Sequence, residues 1–291
     1  MANEAGFFRD EGLFAEVIRT AGPVAPMTLM SRDVDFSIMS GLLLVSAAVR
    51  ERDLVMLGGF APQASGLALI SRPEIRNAED LRGKTVGVQR PGDAIERQGR
   101  IALRHLGLDP DKDVKLLYLG SNELIWPALE GNRVAAAVIG PPRTLLARRA
   151  GMNVLVNLAD LKIEFQSGII GTRRSFTKRH PNLTLRTLRA LARGVHHFKT
   201  RKEETIGILS KFFGTTDREA LEETWGQYAP GIPTKPYAVP SSVQGVLNHL
   251  AESDARYVRY RPADFIDSGP LSALDGSGDI DRLYGPGGVS K

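Results

Sequence analysis

The chain has 291 residues, 42% of them hydrophobic and 24% charged, with a net charge of +5 and no cysteine. That composition is globular, and the length suits one large domain or two lobes. It excludes a disordered polymer, a disulfide framework, a thiolate metal site and a cysteine nucleophile, and so mild a positive excess favours anionic partners only weakly.

No apolar run reaches the ~20 residues a membrane helix needs. Residues 1–12 carry charges and no apolar h-region, so they do not read as a signal peptide. As written, the chain is expected to stay in the cytosol. Ala2–Ala5 read as the last turn of a helix, with Gly6 as its cap. "LFAEVIRT" from Leu13 alternates like a strand. "DFSIM" (Asp35–Met39) is a short apolar run ending in Ser40-Gly41, and the helix-like "LLLVSAAVRER" follows. Next come a strand over "DLVMLGGF" (Asp53–Phe60) and the apolar run "GLALIS" (Gly66–Ser71). "NAEDLRG" predicts a short helix capped by Asn77. "TVGVQ" (Thr85–Gln89) predicts a strand that breaks at Arg90-Pro91-Gly92-Asp93, with a helix from Ala94 to about Leu106.

The alternation continues with strand "VKLLYLG", turn Ser121-Asn122, helix "ELIWPALEGN", strand "AAAVIG" and Gly140-Pro141-Pro142. Helix "RTLLARRAG", strand "NVLVNLAD" and the apolar run "QSGIIGT" (Gln166–Thr172) close the series. This α/β order predicts parallel sheets covered by helices. From Ser175 onward the pattern is nearly all helical, and the Gly-rich tail from Asp275 is expected to be loose. "GLALIS" and "QSGIIGT" bracket a compact section. If both cross between lobes, residues 1–70 and 167–291 form lobe one and 71–166 lobe two. A cleft and a two-strand hinge would then lie between them. A single larger sheet is the alternative.

Loops that follow strands and start helices carry Ser40-Gly41, Pro91-Gly92-Asp93, Ser121-Asn122 and Gly140-Pro141-Pro142. In open α/β sheets ligands sit outside the carboxyl ends of strands. Each following helix would present free N–H groups to an anionic or strongly hydrogen-bonding small molecule. Plain turn chemistry explains the same residues one loop at a time. Catalytic signals are thin. His105, His180, His196, His197 and His249 have no metal-ligand spacing, and there is no nucleophile elbow and no phosphate loop. Asp35 reads as a cap or turn residue. Arg173–Lys202 holds no Asp or Glu; Arg186, Arg189 and Arg193 recur at helical spacing and are expected to form a solvated face. Trp126 and Trp225 read as packing anchors.

"ANEAGFFRDEGLFAEVI", "DVDFSIMSG", "NAEDLRGKTVGVQRPGD", "ALRHLGLDPDKDV" and "GNRVAAAVIGPP", in this order, resemble the solute-binding proteins of ABC transporters for nitrate, sulfonates, taurine and pyrimidine thiamine precursors. The resemblance runs from residue 2 to about 215. It implies a type II periplasmic-binding-protein fold: two α/β lobes, two hinge strands and a helical C-terminal part. It also implies a signal peptide, a first strand central to lobe one and a ligand-touching loop before "GFF…EGL"; residue 1 would then be an internal position of a longer, exported protein. By the family's pattern the Ser40-Gly41 loop, the Gln89–Asp93 loop and the Gly140-Pro141 turn line the cleft. The candidate ligand set is Ser40, Gly41, Phe60, Gln89, Pro91, Gly92, Asp93, Ser121, Asn122, Gly140, Pro141 and Arg143, with Arg90 near by.

The leading expectation is therefore a periplasmic binding component that clamps a small anionic organic solute or oxyanion, of the sulfonate, nitrate or taurine kind. Its partners would be that solute and the transmembrane subunit of an ABC permease, with no nucleic acid and with membrane contact only through the permease. No cofactor, metal or catalytic residue enters this expectation. The alternatives are an enzyme of the same fold, of decarboxylase, lyase or thiamine-precursor-synthesis type, and an effector-binding module. The thiamine-precursor synthases that resemble this family carry a cysteine-rich motif, which this chain lacks.

Overall fold

The computed structural model of the chain describes residues 1–20, 22–63 and 66–285. In chain order the first elements are α1 (Phe7–Asp10), α2 (Val24–Met30), β1 (Phe36–Met39), α3 (Gly41–Ala48) and β2 (Leu54–Gln63). There follow β3 (Ala68–Ser71), α4 (Ala78–Leu81), β4 (Thr85–Val88), α5 (Ala94–His105) and β5 (Lys115–Tyr118). Next are α6 (Ile125–Glu130), β6 (Ala136–Ile139), α7 (Arg143–Arg149), β7 (Asn153–Asn157) and β8 (Glu164–Arg173). The remainder is helical: α8 (Arg174–Arg179), α9 (Pro181–Thr200), α10 (Lys202–Phe213), α11 (Arg218–Tyr228), α12 (Pro240–Ser253), α13 (Gly269–Gly276) and α14 (Asp279–Tyr284). Among the described residues no helix is long and apolar enough to cross a membrane.

Two compact units emerge. The first takes residues 1–63, 164–215 and 229–291; the second takes 64–163 and 216–228. In the first unit β8 is the middle of a three-stranded sheet, order β1-β8-β2, and both its neighbours run antiparallel to it. Ile169 pairs with Met39 on one side and Gly59 on the other. Ser40, Gly41 and Phe60 therefore sit at the same end of this sheet. Ser40 ends β1 and caps α3, its side chain accepting from the Leu43 N–H. Helix α3 buries Leu42, Leu44, Val45 and Ala48, which is why its run is apolar nearly all round. Val55, Leu57, Ile170, Leu188, Leu271 and Leu274 build a core between sheet and C-terminal helices.

The second unit holds a five-stranded sheet, order β5-β4-β6-β3-β7. Strands β4, β5 and β6 are parallel; β3 runs antiparallel to β6 and β7. Successive strand residues point to opposite faces. Leu69, Val86 and Val138 accordingly pack with Leu81 and Leu103 of α4 and α5 in one core. Ile70, Ala137 and Ile139 pack with Ile125 and Leu129 of α6 in another. Burial on both faces makes "AAAVIG" and "GLALIS" continuous apolar runs rather than alternating ones.

Several expectations are corrected. "GLALIS" is not a crossing strand: β3 is paired within the second unit, and the chain changes unit at 63/64, before it. Helix α11 joins the second unit although it was placed in lobe one. Its carboxylates, and Asp217 just before it, bind α7, where Arg148 pairs with Glu223 and Arg149 with Asp217 and Glu219. The sheets are not wholly parallel, since "QSGIIGT" runs against both its neighbours. Leu13–Thr20 is not a strand, because no described strand pairs with it; Phe14, Val17 and Ile18 stand exposed. The tail is helical through α13 and α14, held by buried Leu271, Leu274 and Ile280; its last stretch, 286–291, lies outside the described residues.

Candidate functional site

The pairings of the second unit bring Val88, Tyr118, Ile139 and Ala68 to one edge of its sheet. The loops that follow β4, β5 and β6 gather there and are stitched together. The Gly120 N–H donates to the Gln89 carbonyl at 2.8 Å. Arg90 Nε donates to the Gly120 carbonyl. Arg143 Nη1 donates to the Asn122 carbonyl at 2.9 Å. Gln89, Pro91, Gly92, Asp93, Ser121, Asn122, Gly140, Pro141 and Arg143 thus share one edge. Pro91, Gly92 and Asn122 are exposed, while Pro141 is buried. Ser40, Gly41 and Phe60 belong to the first unit, where Phe60 is half-buried against the core.

The expected free N–H groups at the start of α5 are not free. Asp93 caps that helix, accepting from the Glu96 N–H at 2.8 Å and the Arg90 N–H at 3.0 Å. Glu96 reaches back and accepts from the Gly92 N–H at 2.6 Å. Two carboxylates of the protein have taken the place of an outside anion. Burial pushes the Asp93 carboxyl above its ordinary pKa, and this outweighs the backbone N–H groups that lower it. Glu96 also accepts from Arg100 Nε at 2.8 Å and from the Tyr118 hydroxyl at 3.0 Å. Burial, then Glu96, pushes the Tyr118 phenol up. The Asp93-x-x-Glu96 spacing is a capping-box pattern, so this pair had a readable signal. Tyr118 carries no such signal, since its hydrogen bond to Glu96 spans 22 residues of sequence.

Other residues settle into structural roles. Asp35 pairs with buried Arg173 at 3.1 Å. Trp126 packs on the core beside Ile125 and Leu129. The basic face of α9 is not solvated: Arg186 holds the Glu11 carbonyl, Arg189 pairs with Glu11 and Asp279, and Arg193 pairs with Asp10. Helix α9 is therefore the platform on which the first dozen residues lie. Among the described residues no group of three His, Asp or Glu side chains is placed to hold a metal ion.

A profile of the family described as NMT1/THI5 like matches residues 1–205. YtlA of Bacillus subtilis (strain 168), whose name provisionally describes it as a binding protein, is 21% identical over 234 residues, 78% of this chain and 70% of YtlA. A structure from Bordetella bronchiseptica RB50 superposes with a TM-score of 0.77 at 19% identity, covering 95% of this chain and 91% of that one. The periplasmic aliphatic sulphonate binding protein SsuA of Escherichia coli superposes with a TM-score of 0.73 at 19% identity, covering 91% of this chain and 87% of SsuA. These likenesses give the chain the periplasmic-binding-protein fold, and the profile match over more than half its length makes it a member of the NMT1/THI5-like family.

Proposed function

We propose that the chain is the solute-binding component of an ABC importer, acting in the periplasm and taking a small organic anion, with sulfonates the leading class. The observation that carries this reading is the gathering of three loops, each tied to the next by a hydrogen bond to a backbone carbonyl, at the carboxyl edge of the second unit's sheet. Family membership supports it, and the aliphatic sulphonate specificity in SsuA's name supports the ligand class. Arg90 and Arg143 each spend one N–H on a loop carbonyl and keep other donors for an oxyanion. Ser40, Gly41 and Phe60 extend the proposal to the first unit. Binding without chemistry is supported by the state of the site's carboxylates. Asp93 and Glu96 are engaged by backbone N–H groups, Arg100 and Tyr118, so neither is poised as a base. The partner is the permease's transmembrane subunit.

The test is a thermal-shift and calorimetry panel of alkyl and aryl sulfonates, taurine, nitrate, aromatic carboxylates and pyrimidines. A solute at a hundred times its Kd should stabilise the fold by about 2.7 kcal/mol. Stabilisation by a sulfonate recovered unchanged by mass spectrometry is the expected result. Stabilisation only by another class would replace the ligand assignment. A converted solute would replace binding with catalysis.

A further inference from the structure

We propose that a cavity within the first unit, where α9 meets α10, binds a small zwitterion of the amino-acid kind, with Glu204 and His197 taking its ammonium and Arg201 its carboxylate. It shares no residue with the solute loops, and the proposal does not depend on the solute-binding reading. Arg193, His197 and Arg201 recur every four residues and so share one face at the end of α9. Arg201 closes α9 and opens α10. The bend there brings Glu204, in the first turn of α10, to 3.6 Å from His197 Nε2. With Phe7 and Leu283 as apolar walls, these side chains line a cavity of about 410 Å³.

His197 is only 8% exposed, and its Nε2 is a buried atom with no hydrogen-bond partner among the described residues. Glu204 stops short of it, since 3.6 Å is outside hydrogen-bond reach. A polar atom left so costs free energy, which a ligand group arriving in the cavity would return. The charges around it are unbalanced in a telling way. Arg193 is engaged, paired with Asp10 at 2.6 Å and lying 4.5 Å over the Phe7 ring. The Arg201 guanidinium has no hydrogen bond or ion pair among the described residues, although Glu204 lines the same cavity. One cation and one anion thus face the same space without neutralising each other. A simple anion would meet Glu204 there and a simple cation would meet Arg201, whereas a molecule carrying both charges satisfies each. Burial lowers the His197 pKa, as do the charges of Arg201 and the amino terminus, against the pull of Glu204. The neutral imidazole this favours can accept a hydrogen bond at Nε2, so one ammonium can donate to it and to the Glu204 carboxylate together.

The probes are glycine and L-leucine, with isocaproate and isoamylamine, which keep the leucine side chain and only one of its two charges. Each is titrated into the full chain at neutral pH by calorimetry and by NMR of the imidazole C–H signals, that of His197 being assigned by its loss in His197→Gln. The expected result is binding of at least one amino acid that moves the His197 signal, with both single-charge analogues weaker by about tenfold or more. Glu204→Gln and Arg201→Gln alter exposed side chains and should leave the Tm unchanged while each weakens the amino acid by a similar factor. A His197 signal that no probe moves would overturn the proposal. So would binding that survives both substitutions, which would place the amino acid elsewhere. An analogue that binds as tightly as L-leucine would overturn the assignment of a zwitterion.

Discussion

Gln166 shows how one side chain can join distant segments. It is fully buried. Its Nε2 donates to the carbonyls of Ala61 at 3.3 Å and Gly168 at 3.1 Å, and its Oε1 accepts from the Val239 N–H at 3.0 Å. Gly41 makes room beside it: a Cβ there would lie 2.6 Å from the Gln166 carbonyl oxygen. Gln166→Leu should therefore destabilise the chain by about 2 kcal/mol, the cost of leaving partners of a buried amide unsatisfied. Urea unfolding measures it, and a loss under about 0.5 kcal/mol, the range of a neutral surface change, would mean that water replaces the amide. The same geometry bears on what could be read in advance. Gly41 was legible as a special position, but its need for glycine is met by packing against β8 without any solute. Asp93 was legible as a loop residue, but its role as a cap that turns the α5 N–H groups inward depends on Glu96. Gln166 left no signal, because a Gln in an apolar run gives no hint of the β2 carbonyl and the Val239 N–H that will meet it.

At the scale of elements, apolar period and cap residues located nearly every helix and strand, and they failed where pairing decides. Leu13–Thr20 alternates like a strand, but alternation describes a face and cannot supply a neighbour. The basic stripe of α9 reads as solvated because its acidic partners lie more than 80 residues away, in Asp10, Glu11 and Asp279. The same helix carries an acid-sensitive end. His196 and His197 line a cavity of about 410 Å³ with Phe7, Arg193, Arg201, Glu204 and Leu283. Burial lowers the pKa of both imidazoles and the Arg201 charge lowers them further; Glu204, 3.6 Å from His197, opposes this only in part. The unfolded chain then binds protons more readily than the folded one. Stability is full above the ordinary imidazole pKa of about 6.5 and is lost as the pH falls through it toward the lowered folded values. The midpoint of urea unfolding should decline from about pH 7 to 5, and His197→Gln should flatten that decline. An equal slope in the variant would assign the acid sensitivity to other groups.

At the scale of the molecule, the sequence order conceals which residues fold together. The α/β alternation suggests a section of its own over residues 71–166, but the membership of the second unit is decided by packing and by charge. Helix α11 comes back to it from beyond β8, α9 and α10. Arg148 and Arg149 of α7 hold Glu223, Asp217 and Glu219, and Thr144 Oγ1 donates to Glu223 at 3.4 Å. None of these pairs has a spacing that a local pattern could expose. Each unit has cores of its own: Leu103 packs with Leu69, Val86 and Val138, whereas Leu188 packs with Val55, Leu57 and Ile170. A cavity opened in one should therefore loosen that unit first. Leu103→Ala removes a fully buried side chain and should cost about 2–5 kcal/mol. Native-state hydrogen exchange should speed up across β3 to β7 and also in α11, whose residues are more than 100 positions away from the substitution. Strands β1, β2 and β8 should keep their protection. Protection lost evenly along the whole chain would mean that the two units unfold as one, and an undisturbed α11 would mean that its ion pairs with α7 do not bind it to the second unit's stability.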